Sequence, residues 1–432
     1  MNAINDAWVS AQDAGVLRLI TAGSVDDGKS TLIGRLLYDS KGVFADQMAS
    51  IARSKYKRVA VDEIDLSLLT DGLEAEREQG ITIDVAYRYF ATPLRKFIIA
   101  DAPGHEQYTR NMVTGASTAQ AAIVLVDASR AVDGTLLPQT KRHSALARLL
   151  GLSHIVVAVN KMDLVGWDAD VFDRIRQSYA ELAGKLGIAH FHTVPLSALK
   201  GDNVVAPSAN TPWYEGPTLL SLLETLPGSR VLDDQPEARF FVQWVIRHGG
   251  HSSAHFRGYA GQLAGASLRV GDGVKVLPHG QQARVARLLR GELDIERAEG
   301  GESITIVLDK DIDVSRGDLI VPADAHVKLA REFEAEVCWL DQQVLNPARQ
   351  YWLKQGTRLT QARFKTVHTR RDIHELQDVV AAGSLDMNDI GRVTLLTRDV
   401  LALDTYTDQP ATGAFILIDA ATHQTVAAGM VR

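Results

Sequence analysis

Near-continuous apolar runs at 17–22, 97–100, 121–127, 155–160 and 191–196 alternate with polar stretches of helical spacing, around 139–150 and 218–226. Strands without polar alternation are buried on both faces, and their alternation with helices predicts a doubly wound, mostly parallel α/β sheet. A shorter alternating run at 85–90 predicts a half-exposed strand. Residues 38–70 show poor apolar periodicity and a basic cluster at 55–58, so this region is read as mobile helices and loops with a solvated face. From Arg239 onward the pattern changes to short alternating segments, such as 274–277 and 304–308, between glycine-rich turns. That pattern predicts two small all-β barrels. The expected domains are 1–230, 236–325 and 330–432, with a joint at 322–324. Trp244, Trp339 and Trp352 are assigned to the barrel cores.

The first apolar run feeds Gly23-Ser24-Val25-Asp26-Asp27-Gly28-Lys29-Ser30, then Thr31 and an apolar helix start. Strand, glycine loop and helix in that order form a phosphate-binding loop. Gly23 and Gly28 let backbone N–H groups turn toward an anion, and the helix N-terminus adds partial positive charge there. Lys29 is placed for β- and γ-phosphates, the Ser30 hydroxyl for Mg2+, and Thr31 for the α-phosphate. Asp26 is read as a possible monovalent-cation contact.

Four further segments fit the same chemistry. Thr82, between two isoleucines, is a candidate sensor of Mg2+ and γ-phosphate. Asp101 closes an apolar run and is placed to hold Mg2+. Ala102, Pro103 and Gly104 follow it; Gly104 has no side chain to keep its N–H from a phosphate, and His105 is in reach of an attacking water. Asn160, Lys161 and Asp163 end the 155–160 run. An aspartate there accepts two hydrogen bonds from guanine N1–H and its amino group, a pair that adenine does not offer, so the nucleotide is GTP. Ser197, Ala198 and Leu199 complete the base pocket, with the Ala198 N–H expected to meet guanine O6. The catalytic set is therefore His105, Lys29, Thr82 and Gly104, and the metal set is Ser30, Thr82 and Asp101.

Bulk properties narrow the rest. The 432 residues exceed one ordinary core. A formal net charge of -7 argues against a general nucleic-acid surface. Cys338 is the single cysteine, so no disulfide or thiolate cluster forms within the chain. No secretory signal or membrane span is evident, and a cytoplasmic protein without membrane partners is expected. His248, His251 and His255 complete no known metal spacing, and the polar stretch 368–374 is read as a solvated edge or subunit contact.

The order and spacing of these motifs resemble the translation-factor class of GTPases, trailing barrels included. Within that class, segments 23–30, 71–84, 104–112 and 256–261 resemble the GTP-hydrolysing large subunit of bacterial two-subunit sulfate adenylyltransferase (ATP sulfurylase). Elongation factors carry histidines where this loop has Ser24 and Asp27. The resemblance implies a heterodimer in which a catalytic ATP sulfurylase subunit joins ATP and sulfate into adenylylsulfate (APS) and pyrophosphate while this chain hydrolyses GTP. The barrels are then expected to shift against the nucleotide domain. A fused APS kinase, present in some members, is not carried over, because no second phosphate loop occurs here. The rival expectation is an elongation factor delivering aminoacyl-tRNA, which shares every nucleotide motif.

Overall fold

The computed structural model describes residues 15–40, 65–70, 82, 84–152, 154–227, 237–248, 256–373, 375–380 and 383–432. Its chain divides into two compact units, Met1–Val231 with Ile373–Leu376 and Leu232–Asp372 with Gln377–Arg432.

In the first unit the apolar runs become β1 (Val16–Ala22), β3 (Lys96–Asp101), β4 (Ala121–Asp127), β5 (His154–Asn160) and β6 (Phe191–Pro195), and the alternating run becomes β2 (Ala86–Ala91). They form one sheet in the order β2-β3-β1-β4-β5-β6. All neighbours are parallel except β2 with β3, so the antiparallel strand is an edge strand. Every residue of β4 is buried, as expected for a strand covered on both faces.

Among the described residues of this unit the α-helices are α1 (Lys29–Asp39), α2 (Thr109–Ala116), α3 (Pro138–Leu149), α4 (Ala169–Leu186) and α5 (Leu219–Thr225). Leu32, Leu36 and Leu37 of α1 join Leu17, Ile99, Leu125, Val156 and Leu223 in one buried cluster, so the loop before α1 starts from a rigid base. Helix α4 was not anticipated from the apolar pattern, although its ends carry clear signals. Asp168 caps the first turn by accepting from the Asp170 N–H, and Gly187 takes a left-handed φ of 69° at the other end.

The region expected to be mobile is corrected where it is described. Helix α1 continues to Asp39, and Leu66–Leu69 forms a buried 3-10 turn capped by the Asp65 side chain. A Cβ on Gly34 of α1 would lie 2.1 Å from the Leu66 carbonyl oxygen, so helix and turn are in backbone contact. The basic cluster at 55–58 and residues 71–81 lie outside the described residues.

The second unit holds two closed barrels. The first is built from β7 (Arg239–Phe241), β8 (Phe256–Ala264), β9 (Gly273–Leu277), β10 (Gln281–Arg290), β11 (Ser303–Leu308) and β12 (Leu319–Pro322). Its circuit runs β9-β12-β7-β8-β11-β10 and back to β9. The second uses β13 (Lys328–Trp339), β14 (Tyr351–Gln355), β15 (Arg358–Arg371), β16 (Ile390–Leu403), β17 (Ala414–Asp419) and β18 (Thr425–Val431). It closes in the order β14-β17-β18-β13-β16-β15. Closure removes the exposed sheet edges.

Trp339 is in the second core, edge-on to Tyr351 and Phe364. Trp244 is 66% exposed and Trp352 is half-buried, so neither belongs to a core as expected. Both sit at strand positions that alternate outward. Within 368–374, the His368 Nε2 is 2.8 Å from the Thr394 hydroxyl, and Thr369–Arg371 pairs with 378–380. Among the described residues no helix is long and apolar enough to cross a membrane, and no group of three or more acidic, histidine or cysteine side chains is arranged to hold a metal. His248 closes a short strand, while His251 and His255 lie outside the described residues.

Candidate nucleotide site

The carboxyl ends of β1, β3, β5 and β6 open onto a cavity of about 340 Å³, the side of an open α/β sheet where ligands bind. It is lined by Val25, Asp26, Gly28, Lys29, Ser30, Thr31, Thr82, Gly104, His105, Asn160, Lys161, Asp163, Ser197, Ala198 and Leu199 from the expected set. Gly23, Ser24, Asp27, Asp101, Ala102 and Pro103 do not line it; they are buried behind its wall.

The phosphate loop turns through Asp26 at φ 63° and through Gly23 and Gly28 at φ 142° and 93°. Gly28 has a second constraint, since a Cβ there would lie 2.4 Å from the Asn160 amide nitrogen. Lys29 is buried and donates to the Ser24 and Gly23 carbonyls at 2.6 and 3.3 Å. Two loop donors are already engaged by protein: the Gly23 N–H donates to His143 Nδ1 at 2.9 Å and the Ser24 N–H to Asp27 Oδ2 at 2.6 Å.

The three residues expected to hold a metal converge. Ser30 Oγ donates to Asp101 Oδ2 at 2.9 Å and is 3.3 Å from Thr82 Oγ1. Thr21 donates to the other Asp101 oxygen at 3.1 Å. Two hydroxyls and a carboxylate form a hard, all-oxygen donor set, which suits Mg2+. Gly104 packs on the phosphate loop, where a Cβ would lie 2.6 Å from Lys29 Nζ and 2.8 Å from the Val25 nitrogen. His105 follows on the cavity wall, its ring edge-on to Tyr108 at 6.3 Å.

Charges here are held away from their usual states. Burial lowers the Lys29 pKa, with Asp27, Asp101 and Asp26 opposing. Burial raises that of Asp101 against the pull of Lys29 and its hydrogen bonds from Ser30 and Thr21. Asp27 is pushed up to about 6, again by burial first. Its Oδ1 has no hydrogen-bond partner, and Arg130 stands 3.8 Å away. An anion beside Lys29 and a cation beside Asp101 each restore the charged form that burial disfavours.

At the carboxyl end of β5, Asn160 donates to the Asp27 carbonyl at 2.8 Å and accepts from the Ala198 N–H at 2.9 Å. The Ala198 N–H, expected to point at a base, is thus engaged by Asn160 in this structure. Lys161, in a left-handed conformation at φ 62°, pairs with Asp127 at 2.8 Å. Burial alone pushes the Asp127 carboxyl up, but the Lys161 and Ser129 hydrogen bonds outweigh it and hold it below the usual range.

Several residues at the site escaped the motif reading. Asp65, Ser67 and Leu164 line the cavity. Arg35 donates to the Ala198 and Leu199 carbonyls, and Arg130 donates to the Val25 carbonyl at 3.0 Å. His143 is behind the loop, 120 residues along the chain from Gly23. No spacing in the sequence marks contacts of that range; only the Asp65 side-chain cap ahead of a Leu-Ser-Leu-Leu turn was locally readable.

The Elongation factor Tu GTP binding domain family matches residues 15–229, and the GTP-eEF1A C-terminal domain-like family matches residues 332–432. Sulfate adenylyltransferase subunit 1 of Citrobacter koseri is 50% identical over 430 residues, 99% of this chain and 88% of the relative. The same-named protein of Salmonella paratyphi C is 51% identical over 432 residues, with 99% and 88% covered. The chain belongs to the sulfate adenylyltransferase subunit 1 family. The Bifunctional enzyme CysN/CysC of Mycobacterium tuberculosis is 52% identical over 419 residues, 96% of this chain and 67% of that protein. The fold is accordingly an elongation-factor-Tu-type GTPase domain followed by two six-strand β-barrels.

Proposed function

We propose that this chain is the GTP-hydrolysing subunit of a cytoplasmic sulfate adenylyltransferase, acting beside a catalytic subunit that forms adenylylsulfate and pyrophosphate from ATP and sulfate. The observation that carries the reading is the meeting of Lys29, Ser30, Thr82, Gly104, His105 and Asp163 around one cavity, with Asp101 hydrogen-bonded to Ser30 behind its wall, in a chain half identical to proteins named subunit 1 of that enzyme.

Lys29 and the loop N–H groups hold the β- and γ-phosphates, and Thr31 reaches the α-phosphate. Ser30, Thr82 and Asp101 hold Mg2+, whose role is to neutralise charge on the phosphate oxygens. The Gly104 N–H faces the γ-phosphate and His105 orients the attacking water. Asp163 accepts from guanine N1–H and the 2-amino group, with Lys161 along the ring face. Thr82 and Gly104 contact the γ-phosphate only before hydrolysis, so cleavage releases their segments and changes the surface offered to the partner.

The test is pyrophosphate release by the co-expressed pair of subunits from ATP and sulfate, with and without GTP. Acceleration by GTP, lost in His105→Ala with GTP binding retained, is the expected result. Equal rates with and without GTP, or a salt-sensitive affinity for aminoacyl-tRNA, would overturn the reading in favour of the elongation-factor alternative.

A further inference from the structure

Helix α3 touches both the phosphate loop and the turn that bears His105. Its His143 is fully buried and accepts the Gly23 N–H at 2.9 Å. One turn earlier, the Gln139 carboxamide oxygen accepts from Arg142 Nη1 at 2.7 Å, while its amide nitrogen packs 3.3 Å from His143 Nε2. Arg142 in turn pairs with Glu106 Oε1 at 2.8 Å. Residues 139, 142 and 143 share one helix face, since side chains three and four apart are neighbours. Glu106 is the residue after His105 and opens a 3-10 turn in which the Tyr108 N–H returns to the His105 carbonyl at 3.1 Å.

His105 is therefore held from both sides. Gly104 abuts Lys29 and Val25 of the phosphate loop, and Glu106 is clamped by a helix that grips the same loop from behind. We propose that Arg142 is a positioning residue for GTP hydrolysis: through Glu106 it fixes His105 relative to the phosphate loop, with helix α3 itself, anchored by His143 to the Gly23 N–H, supplying the other end of the connection. Arg142 is not among the residues that line the cavity, so the role assigned to it is exerted through Glu106. The inference rests on the reading of His105 as the residue that orients water.

This role predicts a split between turnover and binding. In the full-length chain with its catalytic subunit, Arg142→Gln and Glu106→Gln should each lower kcat for GTP roughly 10-fold or more, since small misplacements of a catalytic group are expensive. KM should stay within about twofold, because binding contacts are intact. Glu106 is 57% exposed, so its variant tests the pair without disturbing a core. The reversed pair, Arg142→Glu with Glu106→Arg, should recover most of the lost kcat. Unchanged kcat in both single variants, a rise in KM alone, or a reversed pair no faster than the singles would overturn the proposal. His105→Ala is measured alongside: normal turnover there removes the reading on which the inference rests, whereas slow turnover there with normal Arg142→Gln overturns the positioning role alone.

Discussion

Asp27 within the phosphate loop and His143 behind it are both buried, and burial opposes charge on each. His143 is held down to about 3 by burial first and then by Lys29 and Arg142, while Asp27 is pushed up to about 6. Between pH 6.5 and 3 the unfolded chain protonates this histidine and the folded chain does not, so its contribution to stability falls with falling pH, by about 1.4 kcal/mol per unit. Asp27 runs the other way: folded protein holds its proton from the unfolded value of 3.8 up to about 6, so stability is lost as pH rises through that window. The two slopes cancel in wild type where the windows overlap. Relative to wild type, His143→Gln should therefore lose stability as pH rises from about 4 to about 6, and Asp27→Asn should lose it as pH falls across the same range. Urea unfolding along that pH series checks both signs, and parallel curves for all three proteins would contradict the account. In the proposed base pocket, Asp163→Asn would replace an acceptor pair by one acceptor and one donor, so GTP affinity should fall about 100-fold or more while xanthosine triphosphate gains; a competition assay reads the exchange. Asp163 was legible because its neighbours in sequence are its neighbours in the site. His143, Arg130 and Arg35 were not, because they enter the site through the folded sheet.

Elements were legible in proportion to their burial. β4 and β5, covered on both faces, coincide with uninterrupted apolar runs, and β2, half covered, with an alternating one. The 3-10 turn Leu66–Leu69 failed this test because four residues are too few to show a period. Its place is fixed instead by contact, with the Leu66 carbonyl against Gly34 of α1. Gly34→Ala puts a methyl group where the backbone oxygen stands, so the turn must move away from the helix. Overpacking of this kind costs about 1–3 kcal/mol. Because Asp65 and Ser67 line the cavity, the same substitution should weaken nucleotide binding as well as stability. A calorimetric titration with GTP beside a thermal melt separates the two effects, and a variant with wild-type values in both would show that the contact is dispensable.

At the scale of the whole molecule, the sequence pattern announces two barrels but not what joins them. That join consists of long-range contacts inside the second unit. Arg239 of β7 makes a two-pronged contact with Asp404, 165 residues away, at 2.9 and 3.1 Å. The Gln409 amide donates to the Glu237 carbonyl and the Thr357 hydroxyl to the Val242 carbonyl, each at 2.9 Å. Leu277, Leu319, Val321, Ala325 and Ala402 form a shared apolar cluster beside them. Arg239 is 5% exposed and Asp404 13%; Arg239 also donates to the half-exposed Glu237 at 3.1 Å and Asp404 accepts from the Thr412 hydroxyl, but each is the other's buried counter-charge. Removing one partner should cost about 3–5 kcal/mol, because a buried charge is stranded, whereas replacing both by apolar residues of similar volume should cost far less. Asp404→Leu and Arg239→Met alone are thus expected to lower the urea midpoint of the barrel unit steeply, and the double variant to recover most of the loss. Additive losses in the double variant would mean that the ion pair does not itself hold the two barrels together and that the apolar cluster and backbone hydrogen bonds suffice.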